Sequence, residues 1–124
     1  MNTCVFCTLA SSKDHVYDNP YVYAIYDQYP VSPGHMLIIP KRHVDHLFQT
    51  TEAEQSALFQ ALQAMRENLI QIYQPDGFNI GINEGKSAGQ TINHLHIHVI
   101  PRYEKDVDDP RGGIRGAIPD KRIY

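Results

Sequence analysis

The chain is expected to fold as an α+β domain, an antiparallel sheet covered by one long helix. Three observations predict it. Residues 51 to 74 carry a capped, amphipathic helical pattern. Runs rich in aromatic and β-branched residues at 22–26, 35–39 and 78–83 read as strands. The run His94-Leu-His-Ile-His-Val99 alternates strictly between polar and apolar residues, the pattern of a half-buried strand. These strands follow one another in hairpin-like succession and leave a single helix to cover one face.

Each element has its own warrant. Residues 4 to 15 read as a turn and short helix around a Cys-x-x-Cys pair. Asp18-Asn19-Pro20 is a turn signal. Val22 to Tyr26 should be a strand ending at Asp27, and Tyr29 to Gly34, with two prolines and a glycine, a loop. His35 to Ile39 is a second strand closed by Pro40, and 41–49 an irregular segment or short helical turn. Thr51 can cap the helix, and Glu54 three residues on completes a capping box. Leu58, Leu62, Met65, Leu69 and Ile72 then form the apolar stripe, and Gln74-Pro-Asp-Gly77 ends it. Met65 in that stripe is core filler. Phe78 to Asn83 is a third strand, followed by a Gly-rich loop to Gln90. The histidine strand comes fourth and should stop at Pro101. After it the period fades. Residues 1–102 are therefore taken as the domain and 103–124 as an extended C-terminal tail, ordered only if it packs on the domain or a partner.

Composition limits the function classes. With 124 residues, 42% apolar and 20% charged, the chain suits one soluble globular domain. A net charge of −3 argues against nucleic-acid binding through a basic field. No run of eighteen apolar residues exists, so no membrane span is expected. The first residues lack the basic start and apolar middle of a signal peptide, which points to a cytoplasmic protein. In such a reducing compartment Cys4 and Cys7, the only cysteines, suggest metal or redox work rather than a disulfide staple. A redox pair would call for a βαβ context, absent here.

His94, His96 and His98 fall on one strand face, because side chains at i, i+2 and i+4 point the same way. Neighbouring rings start about 6.6 Å apart, close enough to act on one ligand but too far to chelate a single metal by themselves. Read blandly, this is a polar strand face in water. Gly89, Gln90 and Thr91 just before it offer backbone and side-chain donors. The run His-Leu-His-Ile-His-Val-Ile resembles the signature of the histidine triad (HIT) family, His-φ-His-φ-His-φ-φ with φ apolar, at every position. The similarity extends from Cys4 to about Arg102.

The resemblance implies a HIT-like fold with a five-stranded antiparallel sheet, usually in a homodimer, and a nucleotide hydrolase or nucleotidyl transferase. It makes the middle histidine, His96, the nucleophile that attacks an α-phosphate and forms a nucleotidyl-histidine intermediate. It also implies that a carbonyl near the third histidine holds the far N–H of that ring. A neutral imidazole is a competent nucleophile at pH 7. By the same resemblance Gly89, Gln90 and Thr91 surround the phosphate, and His98 contacts it. Asn83 lies near the phosphate or leaving group, Asp27 holds the ribose hydroxyls, and His35 steadies the triad. Asp27 reads equally well as a strand-end turn residue. The chemistry needs no metal.

Some HIT branches carry a structural zinc. Cys4, Cys7, His43 and His94 match its ligands, with His46 a lesser alternative for the third, and a Cys₂His₂ set closes a tetrahedral site. The substrate expected is a small nucleotide. Pro101-Arg-Tyr103 and Pro33-Gly-His35 look more like the dinucleoside polyphosphate hydrolases, such as those acting on diadenosine tetraphosphate. Adenosine phosphoramidate hydrolysis and low-turnover nucleotide binding are the alternatives. Arg102, Arg111 and Arg115 could bring positive charge to further phosphates, or simply belong to a solvated end.

Overall fold

A computed structural model of the protein describes residues 4–124. A short helix α1 (Val5–Leu9) precedes the strands β1 (Tyr17–Asp18), β2 (Val22–Tyr26) and β3 (Met36–Pro40). The long helix α2 (Glu52–Tyr73) follows, then β4 (Gly77–Gly81) and β5 (Ile97–Arg102). The five strands form one antiparallel sheet in the order β1-β2-β3-β5-β4. This is the five-stranded sheet with one long helix that the resemblance implied. The two-residue β1 has no sequence signal of its own and is held by pairing Tyr17 with Ala24.

The helix starts where its chemistry says it should. Thr51 accepts from the Glu54 N–H at 3.1 Å, and the Glu54 carboxylate accepts from the Thr51 N–H at 2.9 Å, a reciprocal cap that typically stabilises a helix by about 1 kcal/mol. Gln74 closes the helix in the left-handed conformation. Ala57, Leu58, Ala61, Met65 and Leu69 meet Val22, Ala24, Met36, Ile38, Leu95, Ile97 and Val99 in the main core. Ile72, expected in the stripe, is 60% exposed. The final turn instead packs Tyr73 on Gly34, where a Cβ would stand 3.0 Å from the Tyr73 ring and the backbone has φ +89°, a conformation that favours glycine.

The other sheet face carries a smaller core of Phe6, Tyr23, Leu37 and Ile39, and on this face the histidines lie. Three strand limits differ from expectation. His35 stands just before β3, and Pro40 lies within it, paired with Val22. His94 and His96 precede β5, so only His98 of the triad sits on regular strand. Pro101 does not stop β5 but pairs with Phe78. By then β3 has ended at Met36 opposite Val99, so the missing N–H of Pro101 faces no ladder partner. Ser32 Oγ donates to its carbonyl on that side. The tail is not extended. It folds back as two 3₁₀ turns, Gly113–Ala117 and Pro119–Lys121, the first packing on β4. Among the described residues no helix is long and apolar enough to cross a membrane.

Candidate active site and metal centre

The histidines separate into two clusters that share one residue. His94 is fully buried. Its Nε2 donates to the Pro40 carbonyl at 2.7 Å, which leaves the Nδ1 lone pair to face the thiols. That nitrogen lies 3.2 Å from Cys4 Sγ and 3.4 Å from Cys7 Sγ, and His43 Nδ1 lies 3.2 Å from Cys7 Sγ. All four ligand atoms fall within 4.8 Å of one another. A tetrahedral ion with bonds of about 2.3 Å to sulfur and 2.0 Å to nitrogen sets its ligand atoms about 3.5 Å apart. The donor set and its spacing therefore fit such an ion. The carbonyl behind His94 is the outer support that a ligating histidine usually has. His46 lies outside the cluster, so His43 is the residue that could fill the third position.

Turning His94 into this cluster removes it from the reaction face. Its backbone carbonyl still serves that face, accepting from His96 Nδ1 at 2.9 Å. The carbonyl that holds the middle histidine thus belongs to the first histidine, rather than to a residue near the third as expected. With its proton committed on Nδ1, His96 keeps a lone pair on Nε2. The Phe6 ring packs edge-on against His94 and His96, at centroid distances of 5.8 and 5.0 Å. His96 and His98 lie 5.1 Å apart, closer than their strand spacing suggested.

His98 takes the opposite tautomer. The Val31 N–H donates to His35 Nδ1 at 3.1 Å, so His35 carries its proton on Nε2. That proton points to His98 Nδ1 at 3.0 Å, and His98 must then present Nε2–H outward. Burial pushes the pKa of both rings down, a neighbouring His96 adds to the effect on His98, and Asp27 opposes it on both. Desolvation of the cation is the main cause. Both rings are held neutral near pH 7. His96 thus offers a lone pair and His98 a donor two residues along.

The remaining predicted residues fall into place unevenly. Asp27 Oδ1 accepts from the Tyr29 N–H at 2.8 Å, and Oδ2 lies 3.5 Å from His35 Nε2. It is a turn residue and a neighbour of the relay at once. Asn83 and Gly89 line a cavity of about 890 Å³ that also contains His98. Thr91 is exposed beside it in the chain. Gln90 bonds within the protein. Its amide NH₂ donates to the carbonyls of Asp45 and Ile92, and its Oε1 accepts from the Gly85 N–H. These bonds tie the 85–90 loop to the segments at Asp45 and Ile92. Of the three arginines expected to supply charge, Arg102 forks onto Asp106, Arg111 pairs with Asp109, and Arg115 binds the Lys121 carbonyl.

Sequence reasoning missed Phe6, the Val31 N–H and the tail residues Ile114, Ala117 and Ile118 of the same cavity wall. Only the apolar character of these residues was visible, and apolar residues carry no role until the fold says what they face.

Residues 9–105 match the HIT domain model. The chain belongs to the HIT family. It is 36% identical over 108 residues to an adenylylsulfatase, HINT3, of Arabidopsis thaliana, covering 85% of this chain and 55% of that protein. It is 39% identical over 88 residues to an AP-4-A phosphorylase of Mycobacterium tuberculosis, covering 70% and 45%. The chain therefore spans about half the length of each. A zinc-bound histidine triad protein from Mycobacterium smegmatis superposes with a TM-score of 0.76 at 34% identity, over 84% of this chain and 78% of that one. Nucleotide-processing enzymes are thus among its relatives.

Proposed function

We propose that this protein is a nucleotidyl hydrolase acting through His96. Its Nε2 attacks the α-phosphorus of a nucleoside phosphate derivative, and the bond to the leaving group breaks, that group taking its proton from water. Water then attacks the phosphorus, the N–P bond breaks, and a nucleoside monophosphate is released. Two easier steps replace one hard one. The observation that carries the reading is the 2.9 Å contact from His96 Nδ1 to the His94 carbonyl, which fixes the tautomer that leaves Nε2 unprotonated. His98 Nε2–H donates to a phosphate oxygen where charge develops, and Gly89, which lines the same cavity as His98, and Thr91 offer it further donors. Asp27 holds ribose hydroxyls, and His35 keeps His98 in its tautomer. Mixing enzyme with a fluorogenic adenosine 5′-phosphate ester should yield a transient adenylyl adduct by mass spectrometry, mapped to His96. Burst-free turnover with no adduct, or turnover that survives His96→Ala, would refute it.

Cys4, Cys7, His43 and His94 hold a structural zinc in this reading, supported by the ligand spacing and the zinc-bound relative. Such an ion would fix the chain terminus to the segment that carries His96 and takes no part in the reaction. A second copy of the chain supplies the partner. Phe48, Phe59 and Ile80 are 80%, 62% and 44% exposed around a groove of about 620 Å³ floored by Leu58, Leu62 and Ile97, beside the edge strand β4. Exposed apolar surface of this kind marks an interface.

A further inference from the structure

We propose that Asp45 is a positioning residue that couples the metal centre to the 85–90 loop at the cavity. Given the metal and nucleotide readings, on which this rests, the ion and a bound phosphate each tighten the other's hold.

Residues 43 to 45 reach three different parts of the molecule. His43 turns Nδ1 to Cys7 Sγ at 3.2 Å. Val44 is buried in the main core, and its carbonyl accepts from the Leu95 N–H at 2.7 Å. The Asp45 carbonyl accepts from the Gln90 side-chain amide at 2.9 Å, and Gln90 Oε1 accepts from the Gly85 N–H at 2.8 Å. Gly89 of that loop lines the cavity with Asn83 and His98. One residue thus separates a candidate metal ligand from the carbonyl that holds the loop.

The Asp45 side chain completes the connection. A metal on His43 Nδ1 leaves the ring proton on Nε2. That nitrogen stands 3.6 Å from Asp45 Oδ1, a gap that a small rotation of either side chain closes to a hydrogen bond. Ligating histidines regularly donate their second N–H to a carboxylate or carbonyl, which orients the ring and strengthens it as a ligand. His94 has such a support in the Pro40 carbonyl, and Asp45 gives His43 the same. Both side chains of the pair are about half exposed, so ring orientation matters here more than ionic attraction.

The segment is braced. The Asp45 N–H donates to Gln49 Oε1 at 2.7 Å. Arg42 forks onto the buried Glu54 at 3.0 and 2.7 Å and donates to the Gln49 carbonyl at 3.0 Å. His43 and the Asp45 carbonyl are therefore held as one body. The loop is the opposite case. Residues 83–89 are all exposed, so hydrogen bonds rather than burial must order it. A phosphate that needs the loop ordered costs less ordering entropy when an ion already fixes Asp45. Such coupling is reciprocal by thermodynamic necessity.

The test uses the purified full chain at low temperature, with circular dichroism confirming the fold of zinc-loaded, chelated and variant protein. Competition with a chromogenic chelator gives zinc affinity with and without AMP, and calorimetry gives AMP affinity with and without zinc. In the wild type each should tighten the other by about fivefold. Asp45→Asn should weaken zinc by about tenfold and shrink the coupling factor, and Asp45→Glu should recover part of both. Gln90→Ala should leave zinc affinity without AMP unchanged and bring the factor close to one. Any direct contact of Gln90 with phosphate would lower AMP affinity equally in both metal states, so the factor reports the connection alone. A wild-type factor of one, a factor unmoved by Gln90→Ala, or zinc affinity unmoved by Asp45→Asn would overturn the proposal. A chain that binds no zinc refutes the metal reading and the proposal with it. If zinc binds and AMP does not, the nucleotide reading fails, and exchange of the Gly85 amide decides: several-fold faster exchange on chelation upholds the connection, and an unchanged rate sinks it.

Discussion

Two histidine clusters meet at His94 and use the same imidazole chemistry to opposite ends. In the first, His94 and His43 turn Nδ1 toward Cys4 and Cys7, and the other His94 nitrogen is anchored on a carbonyl. Nothing in that arrangement points at the cavity. In the second, His35, His96 and His98 are set in fixed tautomers by a backbone N–H at one end and a backbone carbonyl at the other. One cluster has the donors and spacing that could close around an ion, the other presents one lone pair and one proton. The difference teaches that a histidine's role is decided by what its second nitrogen touches. The clusters are also coupled, since the side chain of His94 belongs to one and its carbonyl to the other.

The comparison predicts that damage to the second cluster appears in rate and damage to the first in stability. His96→Ala should lower kcat by about 10³-fold or more with little change in melting temperature. A parallel loss of melting temperature would show that the ring has a structural duty the comparison denies. His98→Ala should cost about 10²-fold in kcat by removing the donor at the phosphate. His35→Phe should fall in the same direction by less, with kcat hit more than KM.

For the first cluster, elemental analysis should find one zinc per chain. Cys7→Ser or a strong chelator should lower the melting temperature by about 10 °C. Activity should fall less than in His96→Ala, through loosening of the carbonyl that holds His96. Unchanged melting with no zinc bound would erase the contrast between the clusters.

A smaller effect concerns acid. The folded-state pKa values of His35 and His98 lie below the ordinary value of 6.5. As pH falls through about 6.5 the unfolded chain binds these protons first, so stability should fall with it until the folded-state values are reached. Above that window the two rings contribute no slope. Denaturant titrations from pH 8 to 5 check this, and His35→Phe should flatten the curve. The smallest effect is at the proposed subunit contact: Phe59→Asp should turn a dimer into a monomer by sedimentation while leaving the fold intact.

Much of this was legible in the chain itself. The α2 cap, its stripe and its stop are local, so Thr51, Glu54 and Gln74 announce them within a few residues. The alternation from His94 to Val99 separates a core-facing set from a polar set, because side-chain direction in extended backbone has a period of two. The resemblance named the four residues whose ligand atoms the fold brings within 4.8 Å of one another, and it offered His96 as the nucleophile. What no local pattern could supply was which ring nitrogen each histidine leaves unprotonated: Pro40 meets His94 and His35 meets His98 from distant strands, and the nearby Val31 N–H and His94 carbonyl reach their rings only through the path of the folded backbone. Nor could it show that Gln90 is occupied within its own loop, or that the tail returns to lay Ile114 over Gly81. Those facts depend on the path the folded backbone takes, whether the partner is two residues away or sixty, and an imidazole or an isoleucine has no role until the folded chain decides what stands opposite it.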